Sequence, residues 1–211
     1  MFRDRRDAGR QLARLLHPYA NRSDVIVLAL PRGGVPIAAE VAADLRAPFE
    51  VFLVRKLGVP FHPELAMGAV AEGGAQVLNR EVIEGLGISE SEVATVLAQE
   101  QAELSRRAHA FRGARSLPVL TGQTVILVDD GLATGATMEA AVIAVREQRP
   151  ARVIVAVPVG ARETCERLKR VADDVVCAAM PEPFQAVGLW YDDFEQLTDE
   201  DVTRVLGDPA R

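Results

Sequence analysis

Apolar positions along this chain come in two rhythms. Residues 25–30 and 125–128 are continuous apolar runs with no polar alternation, which suits strands buried on both faces of a sheet. Further strands are predicted over 49–54, 152–157 and 174–178, and the central run opens at 124. Between the strands the pattern turns helical, over 35–45, 136–148 and 161–171. A first helix over 6–16 carries Ala8, Leu12, Leu15 and Leu16 on one side.

A longer helix is signalled by the capping-box pattern Ser89-Glu90-Ser91-Glu92. It runs to about Phe111, places Val93, Leu97, Leu104, Ala108 and Phe111 on a core face, and takes Gly113 as its stop. Strands alternating with helices predict an α/β fold with a mostly parallel central sheet flanked by helices. Residues 56–115 interrupt that alternation and read as an insertion, not a separate domain. No repeat, low-complexity tract or linker divides residues 1–211, which are expected to form a single domain.

The candidate chemistry lies at the ends of strands. Asp129 and Asp130 close the 125–128 run, and ligands in open α/β sheets bind beyond the carboxyl ends of strands. Adjacent strand residues point to opposite faces, so both acids reach one ligand only where the chain turns, and Gly131 permits a turn. Ala133, Thr134, Gly135, Ala136 and Thr137 then lead into a helix. Small residues and a helix N-terminus offer backbone N–H groups and a positive dipole end to an anion, and a phosphate is the natural guest. The upstream carboxylates would repel that phosphate, so they are expected to grip hydroxyls or a metal elsewhere on the ligand. A phosphate at one end and a diol at the other describe a sugar phosphate. Read locally, Asp-Asp-Gly is also an ordinary turn and helix cap. No G-x-x-x-x-G-K-S/T and no G-x-G-x-x-G after a strand occurs.

Two further segments repeat the theme. The loop Pro31-Arg32-Gly33-Gly34 follows the first strand and opens a helix. The 51–54 run ends in Arg55 and Lys56. Of the 24 basic residues only Lys56 and Lys169 are lysine, so a chain that almost always uses arginine has placed a compact, flexible point charge at 56. Residues 58–74 read as a loop and short hairpin in which His62 is a structural or exposed histidine, with proton transfer as its other reading.

The 125–137 block resembles the phosphoribosyl pyrophosphate (PRPP) signature of type I phosphoribosyltransferases: four apolar residues, two acids, then a loop ending Thr-Gly-x-Thr. The 31–34 loop matches the family's pyrophosphate loop, which often holds a non-proline cis peptide, and Arg55-Lys56 resembles the pair that meets pyrophosphate in orotate-type members. The resemblance covers about residues 24–180. It implies a type I phosphoribosyltransferase fold with an inserted hood at about 56–115 that closes over substrate and excludes water. It implies an enzyme of nucleotide metabolism, a pentosyl transferase that displaces pyrophosphate from PRPP by a nitrogen nucleophile, a nucleobase being the expected acceptor. Asp129 and Asp130 would hold the ribose hydroxyls and the backbone N–H groups of Thr134, Gly135, Ala136 and Thr137 the 5-phosphate, with Gly131 and Ala133 also in contact with PRPP. Arg32, Gly33, Gly34, Arg55 and Lys56 would take the pyrophosphate. Mg2+ is the implied cofactor, bound through PRPP, with Asp129 and Asp130 as the protein groups open to it. Residues after the last strand often build the family's base pocket, which makes Phe184, Trp190 and Tyr191 candidates for stacking on a base, or else a satellite hydrophobic cluster. The other readings are a non-catalytic regulator that binds PRPP or a nucleotide with the same fold, and a phosphatase using Asp129 as nucleophile.

Charge narrows the partners. A net charge of −6 and a pI of about 5.2 argue against a nucleic-acid binder. The partners expected are PRPP and a small acceptor, and a homodimer is allowed because family members are commonly dimers. Residues 1–22 hold six arginines against Asp4 and Asp7, whereas residues 180–208 hold eight acids against Arg204. That asymmetry suggests that the ends dock on each other or on a second subunit through charge, so that salt would loosen them. Cys165 and Cys177 are the only cysteines and suggest neither a disulfide framework nor a metal site. With no secretory signal at the N-terminus and no apolar run of membrane-spanning length, a cytoplasmic location is expected.

Overall fold

The computed structural model describes residues 1–112 and 116–207, the side chains of 63 and 64 excepted. In chain order the elements are α1 (Arg5–Leu15), β1 (Val25–Ala29), α2 (Gly34–Leu45), β2 (Phe49–Val51), β3 (Val54–Val59), β4 (His62–Ala71), β5 (Gln76–Leu78), α3 (Arg80–Gly85), α4 (Glu90–Arg112), β6 (Thr124–Val128), α5 (Ala136–Glu147), β7 (Arg152–Val159), α6 (Arg162–Leu168), β8 (Asp174–Ala179) and α7 (Asp199–Leu206).

Continuous apolar runs make strands that need cover on both sides, and the sheet supplies it. Five parallel strands lie in the order β2-β1-β6-β7-β8, with Val27 opposite Ile126 and Ile126 opposite Ile154. Successive residues point to opposite faces. Val25, Val27, Ile126 and Ile154 pack with Leu12, Ile37 and Val41 of α1 and α2. Ile26, Leu28, Leu127 and Val155 pack with Met138, Val142 and Leu168 of α5 and α6. Each large side chain so buried contributes roughly 2 kcal/mol. From β1 the chain moves to one side of the sheet and from β6 to the other. The crevice beyond the carboxyl ends of β1 and β6 is therefore the topological switch point where open α/β sheets take ligands.

The strand expected over 49–54 is two strands. β2 ends at Val51, and the chain then leaves the parallel sheet to start an antiparallel sheet, β3-β4-β5. The break is built by buried groups. Phe52 donates its N–H to Ala29 O at 2.9 Å and lies fully buried, while Leu53 N–H donates to the Glu72 carboxylate at 3.1 Å. Glu72, buried at the end of β4, pairs with Arg112 at the end of α4, and Arg112 also donates to Val51 O at 3.3 Å. This knot fastens the inserted hairpin and α4 to the sheet edge. Arg55 and Lys56 consequently sit within a hood strand and not at the end of a sheet strand.

The long helix starts as its capping box requires. Ser89 N–H donates to Glu92 at 2.9 Å and Glu92 N–H to Ser89 Oγ at 3.3 Å. Leu104 and Phe111 are buried, and Val93, Leu97 and Ala108 pack against the same core. The stop expected at Gly113 lies outside the described residues. The pattern did not anticipate α7, which opens with a reciprocal cap between Thr198 and Asp201.

The two ends meet through backbone pairing. Phe2 bridges Tyr191 in parallel, with Phe2 N–H to Trp190 O and Asp192 N–H to Phe2 O both at 2.8 Å. Among the described residues the ion pairs seen for the N-terminal arginines include Arg3 with Asp7, Arg6 and Arg10 with Glu40, Arg22 with Asp24, and Arg5 with Asp130.

Candidate functional site

The loops after β1 and β6 are pressed together at the switch point. A β-carbon at Gly33 would overlap the Asp130 carboxylate, and one at Gly34 would come within 2.5 Å of Val128 O and 3.0 Å of Asp129 Cα. Both glycines are thus required by close approach. The Pro31–Arg32 peptide is cis, as in the loops this segment resembles.

Both acids are half-buried. Asp129 accepts the N–H of Asp130 on Oδ1 at 2.8 Å. Burial raises the Asp129 carboxyl well above the ordinary carboxylate value, and the neighbouring Asp130 charge raises it further. Burial also raises Asp130, against the opposing pull of Arg5. Arg5 reaches Asp130 Oδ2 from α1 with both Nε and Nη2 at 3.1 Å. Tyr191 donates its hydroxyl to Asp130 O at 2.6 Å.

The loop leading to α5 is fixed by α6. Leu132 bridges Gly160, Thr164 Oγ1 donates to Ala133 O at 2.6 Å, and Arg167 donates to Thr134 O. Gly135 stands before the first turn of α5 in a left-handed conformation (φ 72°), with no room for a β-carbon because Thr164 Cγ2 would lie 2.5 Å away. Ala133, Thr134, Ala136 and Thr137 remain exposed around it. The anchors Thr164 and Arg167 escaped the sequence reading, as did Arg5; each acts on a partner far along the chain.

A cleft of about 770 Å3 lies between the hood strand β3, helix α4 and this loop, and Pro31, Arg55, Lys56 and Thr137 all line it. That volume suits a small-molecule ligand. Of the residues expected at the site, Arg55, Lys56 and Thr137 line this cleft, with Pro31 from the first loop; Asp129, Asp130, Gly33 and Gly34 meet one another at the switch point and are not among the described residues that line it. Arg55 is held by Glu100 at 2.6 Å, and Lys56 faces the α5 terminus through a second cavity that includes Ala136.

The aromatic candidates are placed differently. Tyr191 is 6% exposed, with its ring against Phe2 at 5.4 Å and Phe194 at 4.9 Å between centroids. Its faces are covered, so it supports Asp130 and offers no platform to a base. Phe184 and Trp190 are half-buried on the same small third core, closed by N-terminal residues Phe2 and Ala8. Val187 of this segment lies over Gly131, where a β-carbon would meet it at 2.6 Å.

Among the described residues no group of three or more His, Cys, Asp or Glu side chains could cage a metal, and no helix is long and apolar enough to cross a membrane. The donor set at the acid pair, with Arg5 on Asp130, fits an ion carried by phosphate oxygens and water better than one held by protein alone.

The family model for the phosphoribosyl transferase domain matches residues 3–192. Two Mycobacterium tuberculosis proteins, named "Putative phosphoribosyl transferase" Rv0571c (strain H37Rv) and MT0597 (strain CDC 1551 / Oshkosh), are each 47% identical over 206 residues, covering 98% of this chain. The match takes in 46% of their length, so the chain spans about half of the curated relatives it matches. The crystal structure of TT1426 from Thermus thermophilus is 46% identical, covers 97% of both chains and superposes with a TM-score of 0.88. On the span of the family match and the identity to these relatives, the chain belongs to the phosphoribosyl transferase domain family.

Proposed function

We propose that the chain transfers a phosphoribosyl group from PRPP to a nitrogen nucleophile, with a nucleobase as the expected acceptor, and releases pyrophosphate. The observation that carries this reading is the contact between Gly33 and the Asp130 carboxylate, which joins a glycine loop fit for pyrophosphate to an acid pair fit for a diol.

In this reading Asp129 and Asp130 accept hydrogen bonds from the ribose 2- and 3-hydroxyls, and their negative charge faces a sugar that becomes cationic as the bond from C1 to pyrophosphate breaks. Backbone N–H groups of residues 134–137 and the N-terminal end of α5 hold the 5-phosphate. Arg32, the backbone of Gly33 and Gly34, and Lys56 receive the leaving pyrophosphate; Arg55 joins them by exchanging or sharing Glu100. The electron pair of the broken bond leaves on pyrophosphate, and the nitrogen lone pair forms the new bond to C1. Asp129 and Asp130 are the residues that would help hold Mg2+ with the bound PRPP, and the ion would supply positive charge to the leaving group. The β3–β4 hairpin and α4 wall the cleft against water. No nucleophilic side chain is needed.

The test is pyrophosphate release from PRPP and Mg2+ across a panel of bases and amines, with Asp129→Asn/Asp130→Asn as control. Release that depends on one acceptor and is lost in the folded double variant establishes the transferase. PRPP binding with no release for any acceptor would favour a regulator that shares the fold. Unchanged PRPP affinity in the double variant would remove the site assignment.

A further inference from the structure

We propose that Arg5, on the first helix, is a positioning residue for the ribose-binding carboxylate: it holds one oxygen of Asp130 and leaves the other to the ligand. The inference rests on the reading that Asp130 receives ribose hydroxyls.

The geometry is that of a clamp. Arg5 Nε and Nη2 both lie 3.1 Å from Asp130 Oδ2, and Nη1 donates to Glu195 O at 2.9 Å. The guanidinium carbon stacks 3.9 Å from the centre of the Phe194 ring. Only 11% of the Arg5 side chain is exposed. A guanidinium is planar and cannot rotate its donors independently, so a ring on one face and a carbonyl at one end fix the direction of the remaining two N–H bonds. Asp130 in turn is held at its backbone by the Tyr191 hydroxyl.

The arrangement answers an electrostatic problem. Two adjacent half-buried carboxyls resist being charged together, and a protonated carboxyl accepts fewer hydrogen bonds from a diol. The groups facing Asp130 are Asp129 on its own turn, Arg5 from α1, Tyr191 from the C-terminal segment, and the β1 loop, whose charged residue is Arg32. Arg5 is the cation seen to touch it. Nε and Nη2 both take Oδ2, so the fork sets which oxygen of Asp130 is engaged and which is left over.

The experiment measures binding of PRPP with Mg2+, of ribose 5-phosphate and of inorganic pyrophosphate to wild type, Arg5→Gln and Arg5→Lys by calorimetry, beside the melting temperature of each. Arg5→Gln is expected to bind PRPP and ribose 5-phosphate about tenfold more weakly, the scale of one lost charge-assisted hydrogen bond, and pyrophosphate as wild type does. Arg5→Lys, which keeps the charge and loses the fork, should fall between the two. A folded Arg5→Gln protein with wild-type affinity for ribose 5-phosphate, or with equal losses for ribose 5-phosphate and pyrophosphate, overturns the proposal. If Arg5→Gln does not fold, an Arg5→Lys protein with wild-type affinity for both ribose ligands overturns it. If wild type binds pyrophosphate and neither ribose ligand, it is the ribose reading that fails; if wild type binds the ribose ligands and Arg5→Gln binds them equally, it is the clamp.

Discussion

Gly33 and Asp130, from loops after different strands, are in such close contact that a single added methyl group at position 33 would occupy the space of the carboxylate. The overlap is with a side chain, so Gly33→Ala should leave the sheet intact and push Asp130 off its position. We expect PRPP affinity to fall by at least about tenfold, the scale of one lost charge-assisted hydrogen bond, with a melting temperature near that of wild type. Wild-type affinity in a calorimeter would show that the contact has no bearing on the ligand.

Asp129 carries the opposite relation between stability and binding. Its folded carboxyl is raised well above the ordinary value by burial and by the charge of Asp130. Such a group stabilises the fold fully below its unfolded value, about pH 4, and loses that contribution as pH rises through the folded value. Asp129→Asn should therefore melt higher than wild type at neutral pH, by about 2–4 °C for each 1 kcal/mol recovered in a chain of this size. The gap should close at acidic pH below the ordinary carboxylate value. A variant that melts lower at neutral pH would contradict the assignment of an unfavourable buried charge.

The knot at the base of the hood is a buried ion pair, Glu72 with Arg112, that also satisfies Leu53 N–H and Val51 O. Removing one partner strands a charge. Arg112→Met is expected to cost about 3–5 kcal/mol in urea unfolding, and Glu72→Gln in the same chain should recover part of it. Equal losses in the single and double variants would mean that packing, and not the stranded carboxylate, sets the cost.

Thr164 holds the loop before α5 through its 2.6 Å bond to Ala133 O. Thr164→Val keeps the shape and removes the donor, a change of roughly 1 kcal/mol. Faster hydrogen exchange at 133–137 and severalfold weaker binding of ribose 5-phosphate are expected. Exchange rates equal to wild type would separate α6 from the loop's order.

The central strands β1, β6 and β7 could be read from the chain because each carries an apolar run that needs no partner to be recognised. The acid pair and its loop are contiguous, so their place between β6 and α5 was legible as well. The break at Phe52–Leu53 was not, since it depends on Glu72 and Arg112 returning from the far side of the insertion. Arg5 was one of six arginines in its segment, and nothing local separates it from Arg3 or Arg6. Its partner is 125 residues away. Tyr191 was noticed for its ring, which the third core covers; its hydroxyl is what reaches the site.

The meeting of Phe2, Arg5, Tyr191 and Phe194 also sets an order of events during synthesis. The acid pair leaves the ribosome 61 residues before the tyrosine that supports it. A nascent chain halted between the two has made three of the five strands of the main sheet or more, while Asp130 still lacks its backing. Arg5, made first, must wait for Glu195 and Phe194 before its own direction is fixed. In the proposed reading, affinity for the sugar phosphate is therefore acquired late, and a product truncated after β8 would carry the sheet with an immature site.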